Sequence, residues 1–303
     1  MFLDVKESPV LGKELSEWPL ELLDRIVPDV KVIYSDVDGT LLGPGGCLFK
    51  NEEHEYTAAA AQAILACHLH RIDVVLVSGR NRHQLQGDAR ILGFQNWIAE
   101  LGCQLVYDMG ETVVLNAGDF RTEGKTVWEA IEAGGAPALL LESYAGLLEY
   151  HLPWSQNREC THIFRGWIDT LEANELLAGE GFADVKIIDN GQVKRRSELL
   201  RADIPEIHAY HLLPAASSKA SAVRKDRDLR AIPKETTIAI GDSASDLALA
   251  PEVGALFLVK NAITENSGLL EAVKDYPNVF VTNHAMGAGW AEAIHYLIGR
   301  KYV

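Results

Sequence analysis

From Lys31 onward the chain alternates short apolar runs with longer stretches whose apolar residues recur every three or four positions. The runs Val32-Ile33-Tyr34, Ile72–Val77 and Thr237–Ile240 break off at Ser35-Asp36, Ser78-Gly79 and Gly241-Asp242. Apolar runs of that length, bounded by small and acidic residues, read as buried strands. The pattern predicts strands at 31–36, 72–77, 236–241, 255–259 and 278–282, with helices at 52–70, 81–92, 219–230, 245–250, 264–274 and 287–300. Trp97-Ile98-Ala99, running into Glu100-Leu101-Gly102-Cys103, adds a strand and a turn. Strands alternating with helices in this way specify a parallel, doubly wound α/β sheet.

One interval breaks the alternation. About 140 residues separate Ser78 from Lys219, whereas one strand–helix–strand crossover needs roughly 30. A separate module is therefore expected there, with strands at 112–116, 159–168, 184–189 and 192–196 and helices at 123–134, 138–149 and 170–179. Asp189-Asn190-Gly191 reads as a hairpin turn, and the return to the core as a hinge near His211–Pro214. The expected division is an N-terminal extension at 1–30, a core at 31–108 and 209–303, and an α+β cap at 109–208. Within the extension, Leu15, Trp18, Leu22, Leu23 and Ile26 fall at helical spacing, which predicts a helix packed on the core or at a subunit contact.

Composition narrows the class. A chain of 303 residues, 48% hydrophobic and 23% charged, is an ordinary globular protein of about two domains. Its net charge of −15, with no compensating basic run, disfavours nucleic acid or an anionic membrane as partner. No stretch reaches the roughly 18 apolar residues of a membrane span, and the acidic start MFLDVKESPV is unlike a secretory signal. The four cysteines lack paired spacing and read as reduced thiols. The expectation is a soluble, cytoplasmic monomer or homodimer.

The chemistry-bearing residues sit where the strands end. Asp36 and Asp38 follow one apolar run, and Asp242 and Asp246 follow another. Carboxylates gathered at strand tips are costly unless a cation neutralises them, and the carboxyl edge of an open α/β sheet is where ligands bind. That combination points to phosphate chemistry with a hard divalent metal. Taken alone, Asp-Val-Asp-Gly would also suit a β-turn or a calcium-type loop. Gly39 lets the chain turn so that both acids reach the cleft. Ser78 and the amides beside it could hold phosphoryl oxygens or cap a helix. Lys219 is a fixed positive charge for the site or a solvated side chain. Asp246 is a ligand of a metal-bound water, a holder of Lys219 or a solvated first-turn acid, and Asn261 is a phosphate contact or an N-cap. In the insert, strand alternation puts Thr161, Ile163 and Arg165 on one face and His162, Phe164 and Gly166 on the other. Arg165 and Arg158 could read a carboxylate or hydroxyls, or belong to a mixed sheet with a solvated arginine.

DVDGT at 36–40, VLVSGR at 75–80, the lysine of SSKASAV at 217–223 and IGDSASD at 240–246 resemble, in order, the four motifs of the haloacid dehalogenase (HAD) superfamily. The spacing is similar to its Cof-type branch, although the extension before the first motif is a departure. The resemblance implies a Rossmann-like core sheet with an inserted α/β cap, and a Mg²⁺-dependent phosphomonoesterase. Its substrate would be a small phosphorylated metabolite, a sugar phosphate or phosphoglycerate type, hydrolysed through an aspartyl phosphate. Asp36 would be the nucleophile and Asp38 the general acid and base, with Ser78 and Lys219 completing the catalytic set. Asp36, Asp38 (through its carbonyl) and Asp242 would hold the metal. Gly39, Gly79, Asp246 and Asn261 would support them, and Arg165, Arg158 and His162 would be the cap's candidates for the substrate. The alternatives are a phosphomutase and, from another class, a non-catalytic metabolite-binding protein.

Overall fold

In a computed structural model, residues 20–193 and 197–299 are described. The chain first builds α1 (Leu20–Ile26), β1 (Val32–Ser35), α2 (Ala59–Leu69), β2 (Asp73–Val77), α3 (Arg82–Leu92), β3 (Asn96–Ala99), β4 (Gln104–Tyr107) and β5 (Thr112–Leu115). It continues through α4 (Val127–Gly134), α5 (Ala136–Ser143), β6 (Leu148–Tyr150), β7 (His162–Gly166), α6 (Thr170–Gly179), β8 (Val185–Gln192) and β9 (His208–Pro214). The last part is α7 (Lys219–Arg230), β10 (Thr237–Gly241), α8 (Ala244–Leu247), β11 (Ala255–Leu258), α9 (Asn261–Glu265), α10 (Ser267–Val273), β12 (Val279–Val281) and α11 (Met286–Gly299).

Two sheets organise these elements. The larger has the order β12-β11-β10-β1-β2-β3-β4-β5, parallel from β12 to β3 and antiparallel beyond. Strand periodicity sends alternate residues to opposite layers. Ile33 packs with Leu23, Ala63, Leu85 and Trp290 on one face, while Val32 and Tyr34 pack with Ala222, Val223 and Leu256 on the other. Register fixes the site: Ser35 stands level with Ile240 on one side and Leu76 on the other. Asp36, Asp242 and Ser78 therefore leave the sheet along one edge.

The smaller sheet, β6-β7-β9-β8, is wholly antiparallel. Phe164, Tyr210, Leu212 and Ile187 from its strands cluster with Ile131, Leu140, Ala173 and Leu177 from α4, α5 and α6. The helices thus cover one face. The other carries the cross-strand rows Ile163–His211–Ile188 and Glu149–Arg165–Ala209.

Several expectations are corrected. The helix foreseen at 52–70 begins only at Ala59, because the Asn51 side chain accepts the Glu55 amide and Lys50 bridges Tyr56; such local bonds compete with a helix. Strand β5, expected to open the cap, pairs with β4 at the edge of the large sheet. Strand β9, expected as a hinge and as core, lies in the small sheet between β7 and β8. Residues 148 and 149, expected at the end of a helix, begin β6. Asp189-Asn190-Gly191 makes no hairpin: the Asp189 carboxylate accepts the Gly191 amide, and the result is a register shift inside β8. The foreseen strand at 192–196 lies partly outside the described residues, as do Leu15 and Trp18. The described part of the extension packs on the core through Leu23, Val27 and Val30. Among the described residues, no helix is long and apolar enough to cross a membrane.

Candidate active site at the core–cap cleft

The ends of β1 and β10 meet the start of α7 at a buried ammonium. Lys219 Nζ lies 2.7 Å from Asp36 Oδ1 and 2.7 Å from Asp246 Oδ1. It is the first residue of α7, whose start is fixed by reciprocal bonds between Ser218 and Ser221. Oxygens of Asp36, Asp242 and Asp246 lie within 4.8 Å of one another. Burial, only partly offset by Lys219, raises the Asp36 pKa to about 7. Burial and then the charges of Asp36 and Asp246 hold Asp242 well above the usual carboxylate range. Lys219 is raised by its two acid partners despite burial, which acts the other way. Three acids share one base, so the cluster suits an added cation.

The donors divide by their existing partners. Asp246 is already saturated: Oδ1 takes Lys219, and Oδ2 accepts the Ser243 amide and hydroxyl and the Asp242 amide. It holds Lys219 and caps α8, and is not a solvated acid. Asp36 and Asp242 remain as the oxygen donors that fit a hard divalent ion. Asn261 is the first residue of α9 and does not cap it. Its amide donates to the Gly39 carbonyl (2.9 Å) and to Asp242 Oδ2 (3.3 Å), and its oxygen accepts the Met286 amide. Asn261 thereby ties the first and last motif loops together. Gly39 has φ +81° and lies so close to Asp242 that a Cβ would stand 2.3 Å from its Oδ2, so no other residue fits this turn. The nucleophile candidate is anchored from behind, where Trp290 Nε1 donates to Ser35 Oγ.

Around the second motif, Ser78 is buried, and its amide is committed to the Ile98 carbonyl. Asn81, not Ser78, caps α3, through a reciprocal pair with Gln84. Among the described residues, the Ser78 hydroxyl accepts only the Arg80 amide, at 3.2 Å. Sequence reasoning missed Arg80 as a site residue. Its guanidinium grips both oxygens of Asp38, at 2.8 and 2.6 Å, and reaches Asp88 with its third nitrogen. A bidentate fork of this kind sets the carboxylate's orientation as well as its position.

The insert docks on this edge through Glu100, also missed. The carboxylate of Glu100 accepts the amides of Glu159, Cys160 and Thr161 and the Thr161 hydroxyl, and lies 3.4 Å from Arg158 Nε. Arg158 in turn donates to the Gly79 carbonyl at 2.5 Å, so it touches the second motif loop. Arg82 and Gln104 hold Glu159. Arg165 lies on the face away from the cap helices, paired with Glu149 at 2.6 Å. His162 is not at the cleft. It stacks on Trp128 within the helix-covered face, its Nε2 bonds the Trp128 carbonyl, and Tyr150 lies on its other nitrogen.

Comparison with known proteins follows this geometry. No family model matches the chain. It is 26% identical over 280 residues to phosphoglycolate phosphatase 1 of Saccharolobus solfataricus, covering 90% of this chain and 98% of that protein. Among solved structures, it resembles the sucrose-phosphatase of Synechocystis sp. PCC6803 in complex with sucrose and phosphate (TM-score 0.60, 16% identity, 89% of this chain and 98% of that one). A HAD/COF-like hydrolase from Plasmodium vivax gives a TM-score of 0.59 at 13% identity, over 92% of this chain and 99% of that one.

Proposed function

We propose that the chain is a capped member of the haloacid dehalogenase superfamily and a Mg²⁺-dependent phosphomonoesterase acting on a small phosphorylated metabolite. The observation that carries this reading is the buried ammonium of Lys219 bound to both Asp36 and Asp246, with Asp242 completing the carboxylate cluster.

An Asp36 oxygen attacks phosphorus, the bond to the leaving oxygen breaks, and Asp38 gives that oxygen its proton. Asp38 then takes a proton from water, which attacks the phosphorus of the aspartyl phosphate and returns Asp36 as a carboxylate. Lys219 offsets repulsion between Asp36 and the incoming phosphoryl oxygens. The Ser78 hydroxyl offers a hydrogen bond to those oxygens. Asp36, Asp242 and the Asp38 carbonyl would hold Mg²⁺, which supplies charge neutralisation to the phosphoryl group.

The relatives' names set the range of substrates to test, from phosphoglycolate to sugar phosphates. The experiment is phosphate release across a panel of phosphorylated metabolites with Mg²⁺, run beside Asp36→Asn. Release by the parent chain and none by the variant is expected. Isomerisation of a phosphosugar without net phosphate release would replace hydrolysis with a mutase reaction.

A further inference from the structure

One buried histidine has no part in the chemistry above. His211 lies in β9 on the face of the small sheet away from its helices, only 2% exposed. A Cβ at Gly79 would stand 3.3 Å from its Cε1 and 3.5 Å from its Nε2, so the ring lies against the loop that carries Ser78. Its Nδ1 is buried and has no hydrogen-bond partner among the described residues. Buried polar atoms nearly always have partners, and an orphan against the loop that carries Ser78 is placed where a ligand can supply one. The neighbours in its row, Ile163 and Ile188, are apolar and cannot.

A second orphan lies one row away. Among the described residues, Arg165 Nη1 is buried and unpartnered, although Nε is satisfied by Glu149. Asn190, from β8, brings its side-chain nitrogen to 3.3 Å from the same Gly79 position. Polar groups of the cap sheet therefore gather over the phosphoryl loop. Burial, with the charges of Arg158, His151 and Lys219 nearby, holds the His211 pKa well below its ordinary value. A neutral imidazole offers a hydrogen bond without a charge. A hydroxyl can both donate and accept, and so pairs with either ring tautomer and with the spare Arg165 nitrogen, whose charge is already matched by Glu149 at 2.6 Å; a carboxylate gains most from a cation that is not so matched.

We infer that His211 is a specificity-determining residue that hydrogen-bonds a hydroxyl of the leaving group beside the phosphoryl site, so that polyol phosphates are preferred to phosphorylated carboxylates. This role presupposes the phosphomonoesterase activity proposed above and narrows its substrate class.

His211→Leu removes the polar edge, and His211→Asn returns an amide to the position. Phosphate release is measured for a set of pentose and hexose phosphates, for 2-phosphoglycolate and for p-nitrophenyl phosphate. In His211→Leu, kcat/KM for the best sugar phosphate should fall about tenfold, with the other two substrates within roughly twofold and partial recovery in His211→Asn. Equal losses on all three with a lower Tm would make His211 structural, and a larger loss on phosphoglycolate would make it a carboxylate reader; either overturns the inference. Calorimetric binding of the same sugar phosphates to Asp36→Asn, with and without His211→Leu, repeats the comparison without turnover. Unchanged affinity there overturns the role of His211. Affinity that depends on His211, in a parent chain that releases no phosphate from any substrate, would leave that role standing and overturn the phosphatase reading.

Discussion

The two sides of the cleft treat charge in opposite ways. On the core side, Asp36, Asp242 and Asp246 share the ammonium of Lys219, so negative charge is left over. On the cap side, among the described residues, Arg165 is matched by Glu149 and Arg158 by Glu100, and His211 is held neutral. An unbalanced buried cluster is a binding device, because only an added cation relieves it. A balanced one is a frame that holds shape and presents hydrogen bonds. Damage to the core should therefore remove activity on every substrate, whereas damage to the cap should cost stability or selectivity.

The largest effect should come from Asp36→Asn. Loss of the proposed nucleophile should lower kcat by several orders of magnitude, at least about 10³-fold, on sugar phosphates and p-nitrophenyl phosphate alike. Steady-state phosphate release checks it. Retained turnover on either substrate would break the contrast on its core side.

Chelation tests the unbalanced charge directly. EDTA should abolish turnover and lower Tm, and Mg²⁺ at about 100 times its dissociation constant should restore roughly 2.7 kcal/mol of stability. Ca²⁺, with longer and more numerous bonds, should stabilise without restoring turnover. A Tm indifferent to Mg²⁺ would mean that Lys219 alone balances the cluster.

Glu100→Ala tests the frame. Removal leaves the buried Arg158 guanidinium without its carboxylate and three amides of the 159–161 segment without their acceptor. A loss of about 3–5 kcal/mol is expected from denaturant unfolding. Arg165→Ala should show the same signature more weakly, about 2–3 kcal/mol, because Glu149 keeps Ser197 as a donor. The double change Arg165→Met with Glu149→Gln should recover much of it.

The smallest effect is a pH dependence at His162. Burial depresses its pKa to about 4 from an ordinary 6.5. Between those values the unfolded chain binds the extra proton, so stability rises with pH across the window and falls on acidification. The contribution is on the order of 2 kcal/mol and should vanish in His162→Phe when unfolding is compared at pH 5 and pH 7. An unchanged difference would place the titrating group elsewhere.

The same contrast explains what was legible in the sequence. The core residues are local consequences of strand ends: a β-branched run followed by Asp36, Ser78 or Asp242 marks both the element and its chemistry, and the parallel register brings them level. The cap depends on pairings remote in sequence. Alternation gave the two faces of β7 correctly, yet could not say that the helices cover the His162 face. Strands β5 and β9 were recognisable in pattern, but which sheet each joins is decided by partners at β4, β7 and β8. Arg80, Glu100 and His211 escaped notice for a related reason. Arg80 stands in the VLVSGR motif, but nothing there shows what it binds, and nothing adjacent to Glu100 or His211 marks a site; each acquires its role from a residue far along the chain: Asp38, Thr161 and Gly79.

The Glu100 clamp has a consequence for how such a protein can diverge. Three of its bonds are to main-chain amides, which every residue except proline supplies. Those three bonds survive any exchange at 159–161 other than to proline and are all lost with the acid at 100, while the Glu159 side chain adds a fastening of its own to Arg82 and Gln104. A lock that grips backbone on one side tolerates change in the side chains it does not touch and keeps the small sheet fastened over the carboxylate cluster.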